Sequence, residues 1–205
     1  PTQEPIDPVR YISNRSSGKM GRALAMEALR RGAEVTVISG PAREPLPFQA
    51  EVIFVRTALE MYEATISRFS QYDVFIGAAA VADYRVADPA DEKHKRNGDI
   101  HHLELIPNPD IAKKIGEIKR PDQITVGFAA ETHHLINYAR EKLKKKKLDL
   151  IVANQVGGEN CAFGSDYVSA LMMTPQSKDE QPELIPKSEL THRVFNRISE
   201  IMGKK

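Results

Sequence analysis

The stretch Arg10-Tyr11-Ile12-Ser13-Asn14-Arg15-Ser16-Ser17-Gly18-Lys19-Met20-Gly21 runs from small polar residues directly into a helical pattern. Small residues at such a junction let backbone N–H groups approach an anion, and the helix N-terminus adds favourable partial charge. The amide of Asn14 and the guanidinium groups of Arg10 and Arg15 belong to the same turn. The stretch therefore predicts a seat for a phosphate or a carboxylate.

Outside this seat, apolar runs alternate with amphipathic helical patterns along most of the chain. The predicted strands cover residues 33–40, 51–56, 73–81, 123–130 and 148–153. Helices are predicted over about 18–31, 57–69, 132–146 and 188–202, and another begins at Asn108-Pro109-Asp110. This alternation predicts an α/β fold of the Rossmann-like, doubly wound type, with a mainly parallel sheet and helices on both faces.

The remaining segments suggest how one domain spanning residues 1–205 is organised. Residues 84–98 are polar and predict a long lid loop, and residues 101–106 can pair as a strand. Residues 157–186 predict a small C-terminal hairpin region with strands at 166–174 and 182–185. An α/β domain normally places a strand before its phosphate loop, but residues 1–8 form turns, so the first strand is expected to be missing.

Composition excludes several classes of protein. The 205 residues are 41% hydrophobic and 28% charged, with a net charge of +1, which gives no global argument for binding nucleic acid or a membrane. No run approaches the length of a membrane span, and the single cysteine, Cys161, favours a packed thiol in a reducing, cytoplasmic setting. The six histidines lack the spacing of a metal site, so no protein-built metal centre is predicted.

Ligands of open parallel sheets bind beyond the carboxyl ends of the strands. Small residues at 77–80 suit such a site, although tight helix–sheet packing explains them equally well. The basic loop around Lys93 is either a solvated surface or a clamp on phosphates, and Lys142–Lys147 either complements a helix dipole or meets a polyanion. An NAD(P)-dependent oxidoreductase and a basic RNA-binding module therefore remain alternatives, although the Gly-x-Gly-x-x-Gly fingerprint is absent.

Taken together, the motifs resemble phosphopantothenoylcysteine synthetase over nearly the whole chain. The segments that carry the resemblance occur in the family's order: residues 5–21, 78–85, Lys93-His94-Lys95-Arg96, Asn108-Pro109-Asp110-Ile111, residues 127–132 and the lysine-rich helix before Leu148. In many bacteria this domain follows a flavin-dependent decarboxylase in a bifunctional coenzyme A biosynthesis protein. Arg96 replaces the last lysine of the family's lid motif, which keeps the charge but changes the geometry.

The resemblance implies a cytoplasmic, homodimeric ligase. It joins 4′-phosphopantothenate to L-cysteine through an acyl-cytidylate, uses CTP with Mg²⁺, and releases pyrophosphate. No flavin is expected in this domain, and the metal is expected to come with the triphosphate. No nucleic acid or membrane partner is expected.

The resemblance also assigns residues to roles. Asn14 and Lys93 would be catalytic. The nucleotide site would comprise Gly77, Ala78, Ala79, Asp83, Lys93, Pro109, Asp110, Ile111, Ala112, Phe128, Lys142 and Lys146. The substrate site would comprise Asn14, Ser17, Gly18 and Ala80, with Arg10 supplied by the partner subunit.

Overall fold

The structure is a computed structural model that describes residues 1–96, 98, 100–131, 133–156, 165–177 and 181–204. Its strands are β1 Gln3–Pro5, β2 Tyr11–Ser13, β3 Thr36–Ser39, β4 Glu51–Phe54, β5 Val74–Gly77, β6 Tyr84–Val86, β7 Leu105–Pro107, β8 Ile124–Glu131, β9 Leu150–Gln155, β10 Tyr167–Met173 and β11 Glu183–Pro186. Its helices are α1 Lys19–Arg30, α2 Ala58–Phe69, α3 Ile111–Ile118, α4 Leu135–Lys145 and α5 Lys187–Met202.

A five-stranded sheet in the order β11-β10-β9-β8-β5 forms the centre of the fold. Strands β5, β8 and β9 are parallel, while β10 runs antiparallel to β9 and β11 antiparallel to β10. The predicted C-terminal strands therefore form an antiparallel hairpin as expected, and this hairpin extends the central sheet. Residues 157–164, including Cys161, and residues 178–180 lie outside the described residues.

Both faces of the central sheet are covered by helices, as predicted. Successive residues of a strand point to opposite faces, and β9 shows this clearly. Leu150 and Val152 pack with α1 and α5, whereas Ile151 and Ala153 pack with α4. All four side chains are at most 1% exposed. This double coverage explains why β8 and β9 are apolar at nearly every position.

A third apolar cluster joins α2 and α3 to the strands beside them. Met61, Phe69, Ile111 and Ile115 are its buried members. Helix α2 begins at the predicted cap, because the Glu60 N–H donates to Thr57 Oγ1 at 3.2 Å. The Glu60 carboxylate accepts from the N–H of Arg56.

Some local predictions were wrong. Residues 1–8 were expected to form only turns, but β1 pairs with β2 in an antiparallel hairpin. The predicted lid loop at 84–98 begins with β6, which pairs with β7 within the predicted strand region. Helix α3 is capped by the Asp110 carboxylate rather than by Asn108, whose side chain donates to the carbonyl of Ala82 instead.

Strands β3 and β4 form a parallel pair of their own, separate from the central sheet among the described residues. The start of the chain lies between this pair and β5. The Thr2 N–H donates to Ala80 O at 3.3 Å, and a Cβ added at Gly40 would overlap the Pro1 carbonyl oxygen. Glycine at position 40 is therefore needed for this close approach.

Of the helices that the structure describes, none combines the length and the apolar character required to cross a lipid bilayer.

Candidate active site

The candidate site lies at the carboxyl edge of the parallel strands. Gly77 ends β5 directly opposite Gly127 of β8, and the small residues Ala78, Ala79 and Ala80 follow. Ala79 is exposed, while Gly77, Ala78 and Ala80 are half-buried. Backbone therefore forms much of this surface, as a planar or phosphate-bearing ligand requires.

Asn14, a predicted substrate-site residue, lies on this same edge beside Val81. Its Nδ2 donates to the carbonyl oxygen of Val81 at 2.9 Å. Because that carbonyl can only accept, the amide NH₂ faces it and one of its hydrogens remains for another acceptor. The side chain is otherwise exposed. This hydrogen bond therefore holds the Asn14 amide, a hydrogen-bond donor, beside Val81, which is next to Ala80 in the sequence.

The N-terminus of α1 begins at Gly18, whose φ of 87° lies in the left-handed region. Gly18 itself has no side chain that could cap this helix. The first N–H groups of a helix lack intrahelical partners, so this end can receive an anion. A Cβ at Gly18 would also lie 2.8 Å from Ala42 Cβ, a second reason for glycine there. Ser17 Oγ accepts from the Lys19 N–H at 3.3 Å.

Lys19 adds a positive charge in the first turn of α1. Its Nζ lies 2.7 Å from Asp166 Oδ1, in front of β10. The hydrogen bond to Asp166 raises the pKa of Lys19, and the same bond lowers the pKa of Asp166. Asp166 is highly exposed, so water competes for this ion pair.

Arg10 contacts the lid loop of its own chain at His94. Its Nε and Nη2 donate to Asp7 Oδ2 at 2.9 and 2.5 Å, and Nη2 also lies 3.3 Å from His94 O. The guanidinium beside Asp7 holds the pKa of that carboxyl well below its usual range. The predicted contact of Arg10 with a partner subunit's substrate stays a prediction.

Lys93, the predicted lid lysine, is exposed next to His94. Within the part of the chain that the structure describes, its ammonium group has neither a hydrogen bond nor an ion pair. Among the described residues it is thus an unpaired cation on the lid.

Asn108 is hydrogen-bonded to the segment that follows β5, including Asp83. The Asn108 N–H donates to Asp83 O at 2.8 Å, and its side chain donates to Ala82 O at 2.9 Å. Arg85 Nη1 in turn donates to Asn108 Oδ1. Asn108 thereby ties the start of α3 to the segment after β5, and sequence reasoning had assigned it only to helix capping.

Two predicted nucleotide-site residues, Asp110 and Lys146, are in direct contact. Lys146 Nζ lies 3.0 Å from Asp110 Oδ2. Lys142 forms a similar pair, with its Nζ 2.5 Å from Glu131 Oε1. Glu131 was predicted to end a strand at the ligand edge but was not assigned to the site. The structure therefore forms two ion pairs, one at the N-terminus of α3 and one at the C-terminus of β8, and their lysines are four residues apart at the end of α4.

The other predicted nucleotide residues have mixed surroundings. Pro109 and Ala112 are half-buried, and Ile111 is buried in the α2–α3 cluster. Phe128 is half-buried and packs against the core beneath α1 and α5. No group of three or more His, Cys, Asp or Glu side chains within the described ranges could hold a metal ion.

Comparison with known proteins shows the family to which this chain belongs. Residues 1–202 match the family described as the DNA/pantothenate metabolism flavoprotein C-terminal domain. The coenzyme A biosynthesis bifunctional protein CoaBC of Vibrio vulnificus (strain YJ016) is 44% identical over 99% of this chain and 51% of its own length. The protein of the same name from Escherichia coli (strain K12) is 50% identical over 97% of this chain and 49% of its own length.

A solved structure shares the fold over its full extent. The crystal structure of the C-terminal domain of a CoaBC protein is 35% identical, with a TM-score of 0.83, and the match covers 100% of this chain and 94% of that one. The chain spans about half the length of the curated relatives it matches.

Proposed function

The chain belongs to the family of the DNA/pantothenate metabolism flavoprotein C-terminal domain, and we propose that it is a ligase that joins 4′-phosphopantothenate to L-cysteine. The substrate carboxylate attacks the α-phosphate of CTP, and pyrophosphate leaves. The amine of cysteine then attacks the acyl carbon, loses a proton and displaces CMP, which leaves an amide. The observation that carries this proposal is the 2.9 Å hydrogen bond from Asn14 to Val81 O. It holds residues 14–18, which we call the substrate loop, at the β5 edge.

On the substrate side, Asn14 donates its second amide hydrogen to the carboxylate and later to the acyl group of the intermediate. Ser17, Gly18 and the first turn of α1 receive the phosphate of phosphopantothenate, because that helix end is positive and Gly18 has no side chain that would occupy its N–H groups. Ala80 leaves room for the chain between them. Holding the carboxylate against the nucleotide replaces a nucleophilic side chain, since the substrates supply both nucleophiles.

On the nucleotide side, three cations neutralise the charge that builds up as pyrophosphate leaves. Lys142 and Lys146 exchange Glu131 and Asp110 for phosphate oxygens, and Lys93 joins them from the lid. The remaining contacts come from residues at the carboxyl edge and the start of α3: Gly77, Ala78, Ala79, Asp83, Pro109, Asp110, Ile111, Ala112 and Phe128. Bound with the triphosphate, Mg²⁺ supplies further neutralisation.

The proposal includes a homodimer in which Arg10 approaches the partner's substrate. The paired strands β1–β2 and β6–β7 support it. They expose several apolar side chains that a monomer would leave in water: Val9, Tyr11, Tyr84, Leu103 and Leu105. Apolar clusters of this kind mark protein–protein contacts.

Two further parts of the proposal concern the rest of the polypeptide. Because the relatives are about twice as long and are named bifunctional, we include a flavoprotein decarboxylase domain before this one, in a cytoplasmic enzyme. A further parallel strand is the second part, since β3 is paired only with β4 and β5 only with β8 among the described residues.

The direct test is to incubate the purified protein with phosphopantothenate, cysteine, Mg²⁺ and CTP. We expect one pyrophosphate per phosphopantothenoylcysteine, with both products measured in the same reaction. Without cysteine, mass spectrometry should detect an acyl-cytidylate. Replacing CTP by ATP tests the nucleotide. No pyrophosphate with either nucleotide contradicts the proposal.

A further inference from the structure

Asp7 is a buried carboxylate that has no assigned role in the ligase reaction. Its side chain is 0% exposed. Oδ1 accepts from the N–H groups of Val9 and Arg10 at 2.9 and 2.8 Å. Oδ2 accepts from the Arg10 guanidinium and from the N–H of His94 at 3.3 Å. Five N–H donors thus converge on one carboxylate, which has only about four lone-pair sites, so its accepting capacity is full.

These donors come from two segments far apart in sequence. Val9 and Arg10 belong to the turn between β1 and β2, which leads into the substrate loop. His94 belongs to the lid and directly follows Lys93. Two further contacts join the same segments, from Arg10 Nη2 to His94 O and from the Ala90 N–H to Ile6 O at 2.9 Å. The lid is therefore fastened to the β1–β2 turn, which leads into the loop with Asn14, and Asp7 is at the centre of the attachment.

We propose that Asp7 is a positioning residue that sets the location of Lys93 relative to the substrate loop. The inference rests on the proposed ligase function for the role of Lys93, but the attachment itself is a property of this fold. Lys93 makes no contact with the described residues that would hold its ammonium group, so its place is determined by its backbone. That backbone is fixed one residue later, where the His94 N–H meets Asp7.

The negative charge of Asp7 is essential to this attachment. An asparagine has the same shape but turns an NH₂ group toward donors on one side, so it cannot accept from all five. Hydrogen bonds to a charged group are also about twice as strong as neutral ones. Asp7→Asn should therefore loosen the attachment of the lid at His94 while leaving every apolar contact in place.

The kinetic test compares Asp7→Asn with Glu27→Gln in the full-length protein. Glu27 is also buried and is bound to Arg30 and Arg31, but it joins α1 to α5 through His192. We expect Asp7→Asn to lower kcat/KM for CTP on the order of 10- to 100-fold, as misplacement of a charged group does. Glu27→Gln should leave kcat/KM within about twofold of wild type, because its network lies away from the lid.

The decisive readout is the coupling between Asp7 and Lys93. If Asp7 acts through Lys93, adding Asp7→Asn to Lys93→Gln should lower kcat/KM by less than about twofold more. A merely structural Asp7 would instead give the product of the two single effects, and that result would overturn the inference.

A second measurement does not depend on activity. Trypsin cleavage after Lys95 and Arg96 should accelerate about tenfold in Asp7→Asn relative to cleavage in Lys144–Lys147, and not in Glu27→Gln. Should Asp7→Asn fail to fold, His94→Pro removes only one donor to Asp7 and should accelerate cleavage at the same two bonds. Unchanged lid cleavage contradicts the role of Asp7 whatever the reaction is, whereas an inactive wild type contradicts only the ligase proposal.

Discussion

The two edges of the parallel sheet carry similar polar residues but arrange them in opposite ways. At the amino edge, Lys119 Nζ lies 2.6 Å from Asp149 Oδ2, and the same oxygen accepts from both the N–H and the hydroxyl of Thr125. Gln123, only 1% exposed, donates to the carbonyls of Phe69 and Tyr72. Each of these polar groups has its hydrogen-bond partners inside the protein.

At the carboxyl edge, polar side chains have a partner in the protein but keep further hydrogen-bonding capacity or exposure to solvent. Asn14 is tied to Val81 but keeps a free amide hydrogen, and Lys142 reaches Glu131 while 42% of its side chain stays exposed. The two edges show that residue type alone does not mark a site. What marks it is a polar group that is positioned by the fold and still has bonding capacity for a ligand. Substitutions at the carboxyl edge should therefore change catalysis, and those at the amino edge should change stability.

The largest effect is expected for Asn14→Asp. The change replaces a donor with a negative charge beside a bound carboxylate, so kcat/KM should fall on the order of 10²- to 10³-fold, as for loss of a key transition-state donor. Because Asn14 is exposed, the free energy of unfolding should change by less than about 0.5 kcal/mol. Pyrophosphate release and urea unfolding measure the two quantities. Wild-type turnover would remove Asn14 from the site.

The amino edge should respond in the opposite way to Asp149→Asn. Lys119 would lose its charged partner in a pair whose side chains are 18% and 16% exposed. We expect a loss of about 2–3 kcal/mol in the free energy of unfolding. The kcat/KM of the remaining folded protein should stay within about twofold. A large kinetic effect without destabilisation would contradict the division between the edges.

Lys142→Gln tests whether the cations at the carboxyl edge serve the nucleotide. Removing one lysine charge that binds the triphosphate should raise KM for CTP about tenfold, which corresponds to about 1.4 kcal/mol of binding free energy. The matched control is Lys144→Gln, which removes a charge from an exposed position on the same helix. Equal effects of both variants would mean that only the overall charge matters.

The comparison also explains what could be predicted from the sequence. The apolar runs of β8 and β9 and the cap of α2 are local signals, and each gave an element close to its observed position. The β1–β2 hairpin was missed because its strands are only three residues long and the contacts that bury them come from residues distant in sequence. Glu4, for example, is buried while it accepts from the N–H of Ala58 at 3.0 Å.

The same limit applies to the site. Asn14 and the Ala78–Asp83 segment stand out in the sequence because small and amide residues follow a strand or precede a helix. Asp7 does not stand out, since an acidic residue in a loop is usually solvated, and Glu131 was placed at a strand end without a partner. Only the fold shows that Asp7 meets His94, 87 positions away, and that Glu131 meets Lys142.

The smallest effect is expected at the Lys19–Asp166 pair, which lies at the carboxyl edge but is largely exposed. Asp166→Asn should lower the free energy of unfolding only slightly at neutral pH, because water screens this exposed ion pair. Since Lys19 lowers the pKa of Asp166, the pair's contribution is present above pH ~4, the ordinary value for aspartate, and is lost as pH falls through the lowered pKa. It should also disappear in about 1 M salt, where the Debye length is ~3 Å. A difference between variant and wild type that persists in salt and in acid would show that Asp166 orders the start of β10 by means other than its charge.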